Sequence, residues 1–417
     1  MSREPRLAGV PARRRAATTD RAMQRPAPFL LLLSYLAFVS LGLPDTVLGV
    51  AWPSLRDEFG LSQAAVGAVL AATVSGYFFS GLIAGRLAGW LGVGGLLAAS
   101  SGLVALGLAG YALAPRWSLF FPLGAVIGLG SGAIDAALNQ YAARHFPVRH
   151  LNWLHASWSV GATTGPVIMT AALAHGPGYR AGYATLAAAL GVMGAAFLAT
   201  RRSWEERRPC AVVAAAVKGS AEPLPREGAW DALRRGRVWL KIAIFFLYTG
   251  LETSAGQWCF TLMREARGLG VEAAGSWTAA YWASLTAGRI ALGFVVDRIG
   301  PDRLLRLAAL GVVTGAVLFA AASGLAGRLG LLLLGASLAP MYPTLMARTP
   351  ARLGHATTPH AVGFQVSSAT LGAALLPGAV GLVAARAGIG AVGPATATMA
   401  VLFWALHEAL VRATRPP

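Results

Sequence analysis

Twelve apolar runs, each about as long as a bilayer core is thick, recur along this chain of 417 residues. A hydrocarbon core about 30 Å thick takes roughly 20 apolar residues in helical form. The runs lie near 28–50, 62–84, 93–114, 118–140, 155–174, 180–200, 239–260, 274–296, 304–323, 328–347, 361–384 and 389–411. With 56% of the residues hydrophobic and 12% charged, the expectation is an all-α membrane protein. The first run is too long for a signal-peptide core and eleven others follow it, so it reads as an uncleaved first helix.

A net charge of +18 raises nucleic-acid binding, and the placement of the basic residues argues against it. With the N-terminus set in the cytoplasm, 28 Lys and Arg residues fall inside or at inner helix ends. Seven fall outside: Arg56, Arg116, Arg180, Arg264, Arg267, Arg328 and Arg386. That bias puts both termini in the cytoplasm and leaves the basicity to topology and anionic lipid. Cys210 and Cys259 suggest neither a disulfide nor a metal site, no Walker loop occurs, and no cofactor is expected. Abundant Ala and Arg with almost no Lys is the composition of a GC-rich bacterial genome, hence an inner (cytoplasmic) membrane location.

The longest polar interruption divides the chain. The expected organisation is a basic tail 1–27, a six-helix bundle 28–200, a linker 201–238, a second six-helix bundle 239–411 and a short tail 412–417. An offset of 208 lays "GRLAGWLGVGGLL" (85–97) over "GFVVDRIGPDRLL" (293–305) and "GLPDT" (42–46) over "GLETS" (250–254). Parallel six-span repeats about an axis along the membrane normal suit a transporter that rocks two halves around a central site.

The stretch "GFVVDRIGPDR" resembles the loop signature of the major facilitator superfamily, matched by Gly293, Asp297, Arg298, Gly300 and Arg303. That resemblance implies twelve transmembrane helices in two pseudo-symmetric six-helix bundles, functional as a monomer. It also implies a gating latch at this loop, where an Asp–Arg pair with a helix terminus holds one conformation. The first-half copy departs from the signature, with Gly89 and Trp90 in place of the Asp and Arg.

A charge at mid-bilayer costs several kcal/mol, so an intramembrane acid needs a partner, a water cavity or a proton. Asp45, Asp135 and Glu252 are such acids. At 1.5 Å per residue, Asp45 sits about 8 Å outward of its span's midpoint and Asp135 about 9 Å inward of its own. A carboxylate exposed alternately to two aqueous sides carries a proton, because protonation neutralises it for the crossing. The competing reading of Asp45 is a helix-break residue, since Pro44 frees a backbone carbonyl. Asp135 and Asn139 are four residues apart, on one helical face, and an amide beside an acid suits hydroxyl recognition. Arg289 is the internal counter-charge of these spans, and its nearness in sequence to Asp297 favours that acid as its partner.

The segment "GLGSGAIDAALNQY" (128–141), continuing through "LNWLHASWSVGATTGP" (151–166), is similar to the fucose permease family of proton-coupled sugar symporters. The features that match are Asp135, Asn139, Leu151, Asn152, Gly161 and Ala162, and "YTGLETSAGQW" (248–258) and "PMYPTL" (340–345) extend the likeness. The resemblance implies that Asp135 recognises sugar hydroxyls and couples to protonation, with Asp45 in a proton relay. This chain departs at His155 and Trp158, where the family tends to show amides. His155 either titrates near neutral pH or only donates a hydrogen bond. Gln257, Tyr281 and Gln365 are further substrate-binding candidates, since sugars need amide partners and aromatic faces. Trp258 and Trp277, near span ends, read as interface anchors.

The leading expectation is therefore a proton-coupled symporter of a sugar or related solute, working by alternating access. A proton-linked drug or metabolite exporter is the alternative, because "GATTGP" (161–166) resembles the G-x-x-x-G-P signature of such antiporters, though Val167, Ile168 and Met169 follow it. A membrane sensor lacks a regulatory segment here, and no enzyme signature is seen. The partners expected are a small solute, protons and the bilayer.

Overall fold

The computed structural model describes residues 28–146, 148–204, 228–354 and 356–414, without the side chains of 143, 144, 148, 149, 151, 152, 292–295 and 297. The basic tail and most of the linker lie outside the described residues.

Helices account for every span. In the first half α1 runs Pro28–Asp45 and, past a turn at Thr46 and Val47, Leu48–Phe59. The stretch Val66–Leu113 breaks at Gly92, giving α2 (66–91) and α3 (93–113). α4 is Leu123–His145, α5 Val148–His175 and α6 Tyr179–Thr200. The second half holds α7 (Gly236–Thr261), closed by a π-helical turn Leu262–Ala266, then α8 (Val271–Ile299) and α9 (Pro301–Ala321). α10 is Leu325–Leu338 with Met341–Ala347, α11 is Thr358–Ala387 and α12 is Val392–Ala413. Among the described residues nine helical stretches are long and apolar enough to cross a bilayer. One of them, Gln63–Leu113, contains both α2 and α3, and α5 and α8, at 28 and 29 residues, complete the twelve.

Helix edges differ from the apolar runs where polar residues remain inside a helix. α1 extends nine residues past the run, to Phe59, because Arg56, Asp57 and Glu58 continue it beyond the apolar part. α5 begins at Val148 rather than near 155, since its first turns are polar.

The two halves pack alike: α1 against α5 and α2 against α4 in the first, α7 against α11 and α8 against α10 in the second. Their turns also correspond. Gly60 (φ 64°) and Gly268 (φ 67°), then Gly92 (φ 70°) and Gly300 (φ 82°), each stand 208 residues apart in the left-handed region that glycine alone enters without penalty. The repeat found in the sequence is thus a repeat of backbone geometry.

Odd-numbered helices start at the end of the bundle that carries the linker, here the linker end, and run to the far end. Among the described residues, hydrogen bonds and ion pairs that join the halves lie at the far end or at the centre. Arg56 donates to Glu265 at 2.9 Å, from α1 to the π-helical turn of α7, and Gln63 Nε2 reaches the same carboxylate at 3.3 Å. His175 of α5 lies 3.2 Å from Glu272 of α8. At the centre Thr163 meets Thr286 at 3.4 Å and Arg289 donates to Ser159 at 2.6 Å.

Candidate functional site in the bundle centre

The α1–α5 contact is built on glycine. A Cβ at Gly42 would fall 2.1 Å from the Trp158 carbonyl oxygen, and one at Gly161 would fall 2.0 Å from that of Val39. Absence of side chains at these points lets the backbones touch, the usual route to close helix packing in lipid. Pro44 removes one helical donor and the helix lapses immediately after Asp45. Thr46 Oγ1 donates to the Ala162 carbonyl at 2.7 Å and fixes the lapse against α5. Trp158 Nε1 then donates to Asp45 Oδ2 at 2.8 Å. Asp45 remains exposed although it sits midway along its span.

α2 meets α4 in the same manner, with a Cβ at Gly128 only 1.9 Å from the Thr73 carbonyl oxygen. Two and three turns later on α4 come Asp135 and Asn139. Tyr77 of α2 donates its hydroxyl to Asp135 Oδ2 at 2.6 Å, and Asn139 Nδ2 donates to Oδ1 at 2.9 Å. Both carboxylate oxygens of Asp135 therefore accept from neutral donors, and no cation pairs with it among the described residues.

Glu252 and Arg289 form the ion-paired part of the centre. Arg289 Nη2 donates to Glu252 Oε1 at 3.4 Å while Nη1 reaches Ser159 across the interface between halves. The guanidinium lies over the Trp158 ring, 5.5 Å from its centroid, and Trp158 meets Trp282 edge to face at 6.3 Å. The Tyr248 hydroxyl donates to Glu252 Oε2. Arg289 thus has Glu252 as a partner, which sequence proximity did not suggest; the side chain of Asp297, the acid that proximity favoured, lies outside the described residues. A continuous set of contacts, Asp45–Trp158–Arg289–Glu252–Tyr248, spans both halves. An ion pair held in the interior together with hydrogen bonds to Ser159 and Tyr248 meets the condition under which buried charges are tolerated.

Other expected residues fall in several places. His155 is exposed in α5, its ring edge-on to Phe38 at 5.5 Å, and is within electrostatic reach of Asp135 and Arg289. Tyr281 is fully buried, with its hydroxyl donated to the Glu252 carbonyl at 2.9 Å, so it supports the acid from behind. Gln257 packs its backbone against Gly49 of α1, nearer the far end. Gln365 belongs to a separate buried group at the linker end, where Thr349 donates to its Oε1 at 3.1 Å. Lys241 Nζ donates to the same Thr349 hydroxyl at 2.8 Å and to the Leu345 carbonyl at 2.6 Å. Trp258 is no interface anchor: it is fully buried and its Nε1 donates to the Pro377 carbonyl at 2.9 Å, tying α7 to α11.

At the loop signature, Gly300 caps α8 with a left-handed φ, and Arg298 and Arg303 are exposed. Gly293 and Asp297 fall in α8 on side-chain positions outside the described residues. The acid with defined partners here is Asp302, which accepts from Arg348 at 2.5 Å and from Arg352 at 2.8 Å. Sequence reading passed over Asp302 because the adjacent Arg303 completes the signature. It also passed over Tyr77, one of several hydroxyls in an apolar run; only its packing against Asp135 gives it meaning.

The arrangement offers two acid systems of different character. Asp135, with neutral donors and an amide, is fit to exchange a proton and to bind hydroxyls. Glu252 with Arg289, beside two indole rings, is fit to compensate or capture charge.

The description Major Facilitator Superfamily matches residues 34–377. A Pseudomonas putida protein named as a gallate transporter is 27% identical over 312 residues, covering 67% of this chain and 68% of that one. The Saccharomyces cerevisiae bypass of stop codon protein 6 is 24% identical over 280 residues, 63% of this chain and only 56% of its own length. Among solved structures, an inward-facing, occupied bacterial homologue of the human lysosomal transporter Spinster overlays with a TM-score of 0.74 at 12% identity, covering 93% of this chain and 97% of that one. An Escherichia coli fucose:proton symporter overlays at 0.58 with 20% identity, covering 94% and 99%. At these identities the overlays speak for the fold.

Proposed function

The chain belongs to the Major Facilitator Superfamily, and on that premise we propose that it is a secondary transporter carrying a small hydroxylated solute by proton-coupled symport with alternating access. The observation that carries this reading is Asp135, an acid at the bundle centre whose oxygens accept from Tyr77 and Asn139 and which has no cation beside it among the described residues. Such a carboxylate gains or loses its proton without breaking an ion pair, and the adjacent amide is a partner for a solute hydroxyl. Asp45, accessible and tethered to Trp158, is the second proton-carrying group, and Glu252 is held by Arg289 until solute or proton displaces it.

The charge bias favours a linker end and both termini in the cytoplasm, and composition favours a bacterial inner membrane. The inter-half ties at Arg56–Glu265 and His175–Glu272 then close the outer side, and the accessible Asp45 and His155 belong to an inward-open state. His155 belongs to the solute path. Gln257 and Tyr281 shape the site from behind, whereas Gln365 with Lys241 and Thr349 stiffens the linker end.

Arg289 over Trp158, with Trp282 edge-on, favours a second reading. A guanidinium over an indole ring that itself packs on a second indole suits a hydroxylated aromatic carboxylate, the chemical class to which the gallate in the name of the Pseudomonas putida relative belongs.

The test is solute-induced proton movement in liposomes containing the purified protein. The panel holds hexoses, deoxyhexoses, polyols, hydroxybenzoates and lipophilic cations. Alkalinisation outside on adding a hexose or polyol supports the first reading, and the same response confined to hydroxybenzoates supports the second. A response to the lipophilic cations alone would replace both with an exporter.

A further inference from the structure

A cavity of about 490 Å³ opens at the linker end, away from the central site, lined by Arg235, Gly236, Arg237, Arg352, Leu353 and Gly354. Three guanidiniums face one space from two parts of the chain: the start of α7 and the short helix Thr349–Leu353 between α10 and α11. Arg235 Nη1 reaches the Leu353 carbonyl at 3.5 Å, which draws the two parts together. Among the described residues Asp302 accepts from Arg352, and it is shared with Arg348. Arg352 is buried, with a side chain 5% exposed; its Nη2 donates to Asp302, whereas its Nη1 has no hydrogen-bond partner among the described residues. A buried guanidinium nitrogen without an acceptor is costly, and an anion supplies the acceptor. α7 begins at Gly236, so the free N–H groups and positive dipole end of a 26-residue helix border the same space.

We infer that this cavity binds a phosphate-bearing anion, gripped by Arg235, Arg237 and Arg352 at the start of α7. Guanidiniums and helix N-termini together are the donors phosphate oxygens take best. The source the surroundings favour is the headgroup of an anionic phospholipid. Trp230, 80% exposed in the short helix Ala229–Leu233, and Trp239, 55% exposed in the first turn of α7, flank the site. Trp239 Nε1 donates to the Leu233 carbonyl at 2.8 Å and holds the short helix beside α7. Exposed indoles at a span end sit at headgroup depth, so the arginines between them are at the level of lipid phosphates. The ligand would draw on the same Arg352 that holds Asp302, and so connects lipid composition to the loop that joins α8 to α9.

The test is binding to the purified full-length protein in detergent, followed by native mass spectrometry and by melting temperature. The additives are phosphatidylglycerol, phosphatidylcholine and inorganic phosphate. Retained phosphatidylglycerol with a raised melting temperature, and neither with phosphatidylcholine or inorganic phosphate, identifies a lipid-headgroup site. An equal shift with millimolar inorganic phosphate identifies the same site as one for a soluble phosphate compound. The exposed double variant R235Q/R237Q, which leaves the buried Arg352–Asp302 pair intact, should bind phosphatidylglycerol about thirtyfold more weakly, from two guanidiniums near an anionic headgroup. Undiminished binding by that variant, or no difference between phosphatidylglycerol and phosphatidylcholine with no phosphate effect, overturns the inference. None of these readings requires transport, so the result stands apart from the identity of the solute.

Discussion

At the scale of single residues, the site divides into what a sequence can announce and what it cannot. Asp45, Asp135 and Glu252 are legible because charge in an apolar run has no cheap explanation. Tyr77 and Ser159 are not: a Ser or Thr hydroxyl in a helix ordinarily satisfies itself on the preceding turn, as Thr73 and Thr163 do here, and a lone Tyr in an apolar run reads as packing. Arg289 was visible, but its partner was not: pairing depends on which helices face each other. Asp135→Asn should leave folding intact and abolish proton-driven accumulation, measured as labelled-solute uptake under an imposed pH gradient. Uptake at the wild-type level would remove Asp135 from the coupling step. For the Glu252–Arg289 pair, Arg289→Gln alone strands a buried carboxylate and should lower stability by about 3–5 kcal/mol. Adding Glu252→Gln should restore much of that loss. Denaturant melts of the single and double variants give the comparison, and additive losses would mean that the pair is not coupled.

At the scale of elements, the helices were read from hydropathy with errors at their ends, where polar residues continue a helix past its lipid-facing part. Glycines recur along α4 and α5 in the sequence, but the backbone each one touches needed three dimensions. Gly128 is the sharpest case, because any side chain there meets the Thr73 carbonyl. Gly128→Ala should separate α2 from α4, cost on the order of 1–3 kcal/mol of stability, and weaken the Tyr77–Asp135 hydrogen bond. Thermal melting checks the first effect, and loss of solute affinity at unchanged expression checks the second. Gly85, in α2, has open space beyond its Cα, and Gly85→Ala serves as the control that should change neither.

At the scale of the whole molecule, the repeat was legible at an offset of 208 because turn glycines resist replacement, whereas the state of the two halves was not. Sequence carries the contacts of every conformation at once. The structure ties the halves at the far end through Arg56–Glu265 and His175–Glu272, both partly exposed, so neither tie is strong by itself. The variant R56A/H175A removes both without creating a buried charge. It should shift the population toward far-end opening, read as increased labelling of a cysteine placed at Ser276, which lies in a far-end cavity between α5 and α8. Unchanged labelling would mean that packing between α5 and α8 alone sets the balance.

Arg289 is held from both sides, by Glu252 in its own half and by Ser159 and the Trp158 ring in the other. It works as a clasp as well as a charge, and a solute that engages it loosens the seam between the halves in the same act. The loaded carrier should therefore turn over faster than the empty one, and labelled solute should swap against unlabelled solute across the membrane faster than it leaves into solute-free buffer.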